Sequence, residues 1–228
     1  MRRAVPIVAA AWAVPALAPV VPRVARGLRL ARTVDAPGAV ALTFDDGPHP
    51  RGTPAILEVL AAYGAAATFF MVGEQVNRSP RLAAEVVAAG HGVAVHGHRH
   101  RNLLRLTPRQ IADDLDRART AIEDTTQTAP RLHRAPYGIY SWPALAEVKR
   151  RGWTPLLWSR WGRDWARRAT PRSIAAKVTR DLQAGDVLLL HDADDYSAPG
   201  SHERTAQALP RILEAIAAAG LAVAQPGR

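Results

Sequence analysis

The chain has 228 residues, a formal net charge of +10 and no cysteine. That length supports one sizeable core, and the lack of cysteine excludes disulfides, thiolate metal ligands and a cysteine nucleophile while leaving the redox compartment open. The positive charge is nearly all arginine, scattered and without a recognisable reader motif, which speaks against a nucleic-acid partner and for an Arg-rich composition or attraction to an anionic envelope.

Residues 4–22 carry no charge, follow Arg2 and Arg3, and are interrupted by Pro6, Pro15, Pro19 and Pro22. They read as a targeting or membrane-associating segment, with proline-broken packing on the domain as the alternative. Ala16-Leu17-Ala18 offers a cleavage pattern that Pro19 spoils, and Arg23, Arg26, Arg29 and Arg32 give export no support from the positive-inside rule. Residues 1–35 are accordingly set apart as an anchor segment and basic linker, and 36–228 as one catalytic domain. The expected location is the cell envelope, anchored or secreted, with the cytoplasm as the alternative, and the expected state is a monomer.

From residue 39 onward short apolar runs alternate with helical patterns, the signature of strand-helix units around a parallel sheet. Strands are expected at 39–44, 66–71, 92–95, 131–134, 153–158, 186–190 and 220–224. Helices are expected at 53–62, 80–89, 107–124, 141–151, 170–183 and 203–219. Thr107-Pro108 and Thr170-Pro171 each place a cap before a first-turn proline, and Gly64, Gly90, Gly152, Gly185 and Gly220 stop the helical stretches. The fold class is α/β, a distorted (β/α)7 TIM-like barrel.

Every chemically suggestive cluster falls just beyond the C-terminal end of one of these strands, the face on which barrel active sites form. Thr43-Phe44-Asp45-Asp46-Gly47-Pro48 follows the first strand and His96-Gly97-His98-Arg99-His100 the third. Adjacent carboxylates on extended backbone point apart, so one can ligate a cation while the other stays free as a base. Two imidazoles four residues apart can complete a set of three protein ligands. Taken alone, Asp-Asp-Gly-Pro is an ordinary turn and the histidine pair a surface patch, and no glutamate follows His96 to make a zinc-protease motif.

With Arg134-Ala135-Pro136-Tyr137-Gly138, Gly162-Arg163-Asp164-Trp165 and Leu188-Leu189-Leu190-His191-Asp192, the motifs number five in fixed order. In these, over residues 38–224, the chain resembles the NodB-homology polysaccharide deacetylases, carbohydrate esterase family four. The resemblance implies a metal-dependent hydrolase that removes N-acetyl groups from an amino-sugar polymer, peptidoglycan-like or chitin-like. It assigns one divalent ion to Asp46, His96 and His100, Zn2+ first with Co2+, Ni2+ or Fe2+ as alternatives. Asp45 would be the general base and His191 the general acid, with Arg134 orienting Asp45 and Asp164 supporting a protonated His191. Tyr137, beside Pro136, would offer its backbone N–H to the oxyanion, and Trp165 with Leu190 would line the acetyl pocket. Another amidase on this fold, or a catalytically silent glycan-binding module, are the competing readings.

Gly97, Arg101 and Trp161 depart from the family pattern, which bears on the loop at the metal and on the sugar groove. His98 reads as solvent-facing or supporting, Asp192 as a brace, and His49, His91, His133 and His202 as structural or surface groups. Trp153 and Trp158 belong to the core, Trp161 and Trp165 to the groove, and residues 192–204 to a polar segment, a solvated connection first and a loop rimming the site as the alternative.

Overall fold

The computed structural model describes residues 12–226. Its central strand, β1 (Ala39–Asp45), is buried at all seven positions, as a continuous apolar run covered on both faces of a parallel sheet should be. Around it lie β2 (Thr68–Met71), β3 (Gly92–Val95), β4 (Leu132–His133), β5 (Thr154–Pro155), β6 (Arg160–Trp161), β7 (Val187–His191) and β8 (Ala222–Ala224). All strand pairs are parallel, in the order β5-β4-β3-β2-β1-β7-β6, with β8 on the first half of β1. The register sets Asp45 beside Phe70 of β2 and His191 of β7, so two of the chemically suggestive groups share one rim.

The distorted seven-unit barrel expected from the sequence is the fold that forms, with one strand differing from expectation. The run at 153–158 is not a single strand: β5 bonds to β4, whereas β6 bonds to β7 on the far edge. Between them the chain crosses the open side of the barrel, where a two-sided ladder cannot reach. Ala31 fills part of that gap, donating to Pro155 O and accepting from Leu157 N at 3.2 and 2.7 Å. Arg134 satisfies Leu156 O and Leu157 O from inside.

Residues 12–34 include a short turn at Val14–Leu17 and a helix at Pro22–Gly27. Ala18, Ala25 and Leu30 are buried in the same core as the barrel strands. Residues 4–11 of the expected anchor lie outside the described residues. No described helix is long and apolar enough to cross a membrane.

Outer helices follow their sequence signals closely. Pro108–Thr126 opens on a Thr107 and Gln110 capping box and buries Ile111, Leu115, Ala118 and Ile122, one stripe at helical spacing. Pro171–Val178 opens on Thr170 and Ser173 but stops well short of 183. There Asp186 accepts from Gln183 N and Arg160 Nε at 2.9 Å each, folding the chain back toward β7. A helix at Gly73–Arg78, too short for a periodic signal, was not expected.

A candidate metal centre and active site

Asp46 follows β1 at φ 85°, a left-handed conformation that turns its side chain away from that of Asp45. The next residue must be glycine, because a Cβ on Gly47 would lie 2.1 Å from Asp192 Oδ2. Asp192 accepts from Gly47 N at 3.0 Å and from Thr53 Oγ1 at 2.5 Å, and burial pushes its carboxyl up to about 7. It is the brace expected of it.

Asp46 Oδ1 lies 3.4 Å from His96 Nε2 and 3.2 Å from His100 Nε2. All three side chains are almost wholly inaccessible, and Asp46 Oδ1 has no hydrogen-bond donor among the described residues. A buried carboxylate oxygen left without a donor, facing two imidazole nitrogens, fits a cation. His96 Nδ1 lies 2.8 Å from Arg134 O. A carbonyl only accepts, so that nitrogen carries the proton and Nε2 keeps its lone pair for the cluster. Burial drives His100 down to about 4. Asp46 is pushed up by burial but brought to about 2 by the imidazoles of His96, His191 and His100 gathered around it. Ionised carboxylate and neutral imidazole are the forms that metal ligation needs.

His100 has no hydrogen-bond partner at Nδ1 among the described residues. Its ring is held instead by Tyr196, stacked at 4.2 Å and 11°, and by the edge of Tyr137 at 4.5 Å. The loop carrying both histidines is braced by buried Asp114, which accepts from His98 N at 2.8 Å and Arg101 Nη2 at 2.6 Å. Two departures from the family pattern are thereby explained. Gly97 sits at φ 83° with Asp114 Oδ2 only 3.0 Å from any added Cβ, and Arg101 supplies the counter-charge. His98 is buried rather than solvent-facing, with Nδ1 2.6 Å from where a Cβ on Gly73 would stand.

Asp45 does not join the cluster. Its Oδ1 takes a 2.6 Å hydrogen bond from Arg134 Nη1, and Oδ2 lies 3.8 Å from His96 Nε2. On the neighbouring strand, His191 Nδ1 pairs with Asp164 Oδ1 at 2.9 Å while Asp164 Oδ2 accepts from His191 N and Thr205 Oγ1. Burial alone would depress His191, but Asp164, with Asp46 and Asp45 beyond it, prevails and raises the imidazole to about 10. Arg134 and Asp164 do not reach the cavity; they act through Asp45 and His191.

These groups open into one cavity of about 390 Å³ walled by Tyr137, Trp158, Trp161, Trp165, Leu189 and Tyr196. Two expectations are corrected here. Leu190 does not line it; Leu189 does, because side chains alternate along β7 and His191 shares its face with Leu189. Leu190 points to the outer layer, against Gly162. Pro136 is likewise buried beneath the turn that presents Tyr137 at φ 60° and does not reach the cavity.

Sequence reasoning missed Tyr196, Asp114 and the cavity-facing side of Trp158. Only the position of Tyr196 in the loop after His191 pointed toward it. His49 and His202 gather on Asp194 at 3.5 and 3.3 Å. His49 Nδ1 accepts from Gly52 N at 2.9 Å, so Nε2 holds the proton and faces Asp194, which makes a latch between loops rather than a ligand set.

A parallel barrel with an Asp-His-His cluster, a braced carboxylate and a carboxylate-supported histidine on one rim defines a hydrolase. The chain belongs to the polysaccharide deacetylase family, whose sequence model matches residues 33–156. A chitooligosaccharide deacetylase of Bradyrhizobium sp. (strain ANU 289) is 37% identical over 192 residues, 81% of this chain and 87% of the relative. A peptidoglycan-N-acetylglucosamine deacetylase of Bacillus cereus is 34% identical over 177 residues, 76% of this chain and 79% of the relative. Among solved structures, a family 4 carbohydrate esterase from Streptomyces lividans in complex with acetate superposes with a TM-score of 0.75 at 32% identity, covering 83% of this chain and 93% of the esterase.

Proposed function

We propose that this protein hydrolyses the N-acetyl groups of an amino-sugar polymer of the chitin or peptidoglycan kind, releasing acetate and a free sugar amine. The observation that carries the reading is that Asp45 and His191 line the same aromatic-walled cavity as the Asp46, His96 and His100 cluster. Asp46 Oδ1, His96 Nε2 and His100 Nε2 would hold a divalent ion, Zn2+ or else Co2+, Ni2+ or Fe2+, which when bound supplies Lewis acidity toward water and the amide carbonyl.

Asp45, aimed by Arg134, takes a proton from the water that attacks the acetyl carbon. The Tyr137 backbone N–H, presented by its left-handed turn, is the donor assigned to the developing oxyanion. As the carbon–nitrogen bond breaks, His191 gives its proton to the leaving nitrogen. Trp165 and Leu189 form the apolar wall that suits the acetyl methyl. The reading extends to a monomer acting at the cell envelope, through an anchoring or exported N-terminus, and its net charge of +10 suits an anionic envelope.

Acetate release from N-acetylated glycans, with and without chelator, tests the activity. Asp45→Asn is expected to lower kcat by about 10²- to 10⁴-fold with the metal retained; full turnover by that variant would remove Asp45 from the role of base. Immunodetection in cell fractions tests location, and an absence from the envelope fraction would refute it.

A further inference from the structure

Trp161 is shared between two depressions. One is the site cavity; the other is a groove of about 330 Å³ lined by Ser159, Arg160, Trp161, Arg163, Lys177 and Arg180, with no acidic side chain in its wall. Arg160 is neutralised by Asp186 at 2.9 Å. Arg163, Lys177 and Arg180 have no acidic partner within ion-pair distance among the described residues. A second Arg-lined depression differs in its wall. Around Arg119, Arg150 and Arg151 the wall includes Asp116 and Glu123, and Arg151 pairs with Asp116 at 3.1 Å. The arginines of that depression are thus balanced by carboxylates in its wall, whereas the cations beside the active site are not.

The join between the two depressions is ordered. Arg163 lies 5.7 Å from the Trp161 ring centre and 5.6 Å from that of Trp165, within cation–π range of both, and Trp161 stacks on Trp158 at 5.8 Å. A sugar ring can lie on the indoles while a negatively charged substituent reaches the cations beyond. Three unpaired cations around a concave surface next to an aromatic platform suit a carboxylate on the polymer better than a neutral hydroxyl.

We propose that the groove beyond Trp161 binds a carboxylate carried by the glycan near the sugar being deacetylated, so that an anionic polymer is preferred over a neutral one. The inference rests on the deacetylase reading and sharpens its substrate class.

The test compares two oligosaccharides of equal length, one of N-acetylglucosamine alone and one alternating with carboxylate-bearing N-acetylmuramic acid. The metal-loaded full chain is set against its Lys177→Gln/Arg180→Gln variant, which leaves Arg163 in place against the two indoles. At low salt the wild type should show a KM about three- to tenfold lower for the carboxylated oligomer, as a few screened surface contacts provide, and salt should erode that preference. The variant should lose the preference while its kcat and its KM for the neutral oligomer stay unchanged. Equal KM values in the wild type, or a variant equally impaired on both oligomers, would overturn the proposal.

Calorimetric binding of the carboxylated oligomer separates this proposal from the reading it rests on. If neither oligomer releases acetate yet the variant binds the carboxylated one more weakly than wild type, the groove stands and the deacetylase reading falls. Both substituted side chains are exposed, so an unchanged melting temperature is expected; should the double variant unfold, Lys177→Gln alone must still reduce the preference, or the proposal fails.

Discussion

Arg134 Nη1 meets Asp45 Oδ1 at 2.6 Å with the guanidinium entirely out of solvent. The same fork donates to Thr43 Oγ1, Leu156 O and Leu157 O, and lies 4.0 Å from the Phe70 ring centre. One side chain therefore aims the carboxylate and also closes the barrel where β5 and β6 part. Removing one partner of such a pair strands the other charge and orphans two carbonyls. Arg134→Met is expected to cost about 3–5 kcal/mol in chemical denaturation and to abolish acetate release. Arg134→Lys keeps the charge without the fork, and should recover part of the stability but little of kcat.

His191 depends on Asp164 in a way that a pH profile reads directly. A group that donates a proton must hold it, so turnover should persist through neutral pH and fall as pH rises through about 10, the value to which His191 is raised. In Asp164→Asn the carboxylate charge is gone, burial dominates, and the alkaline limb should move to lower pH with a reduced plateau. The stability linkage has the same sign. The folded value lies above the ordinary 6.5, so the pairing contributes fully below about 6.5 and is lost as pH climbs through about 10. An alkaline limb unmoved in Asp164→Asn would rule out the pairing as its origin.

Metal addition should stabilise the fold by mass action, by about 2.7 kcal/mol when free Zn2+ stands at a hundred times its Kd. A chelator should reverse the shift, and Asp46→Ala should show none of it. Tyr196 offers a finer test, because stacking is what orients His100 where no hydrogen bond does. Competition against a chromogenic chelator should find Zn2+ affinity about tenfold weaker in Tyr196→Ala, and nearly unchanged in Tyr196→Phe, which keeps the ring.

The Gly47 position admits no side chain. A Cβ would overlap the Asp192 carboxylate that holds the loop after β1. Gly47→Ala is expected to lose about 1–3 kcal/mol in denaturant titration, with activity falling as Asp46 is displaced.

Much of this was legible along the chain. Periodicity marked the strands from β1 to β4, and the Thr107 and Thr170 caps marked two helix starts, because local rules of backbone and side chain act over a few residues. The ordered motifs pointed to the family and to which side chains would gather. The short helix at Gly73–Arg78 was not legible, since its first N–H groups are received by Gly97 O and His98 O from far along the chain, nor was the early end at Val178, beyond which Asp186 ties the chain to Arg160.

What the sequence by itself determined was the kind of protein, an α/β barrel of the deacetylase family with its reactive groups at strand ends. Only the tertiary structure decided that residues 154–161 serve two edges of the sheet, that Leu189 and not Leu190 faces the cavity, and that Tyr196 and Asp114 hold the histidine loop. The reason is physical: composition and spacing constrain near neighbours, whereas the face a side chain presents and the partner that satisfies a buried polar atom are set by contacts between segments far apart in the chain.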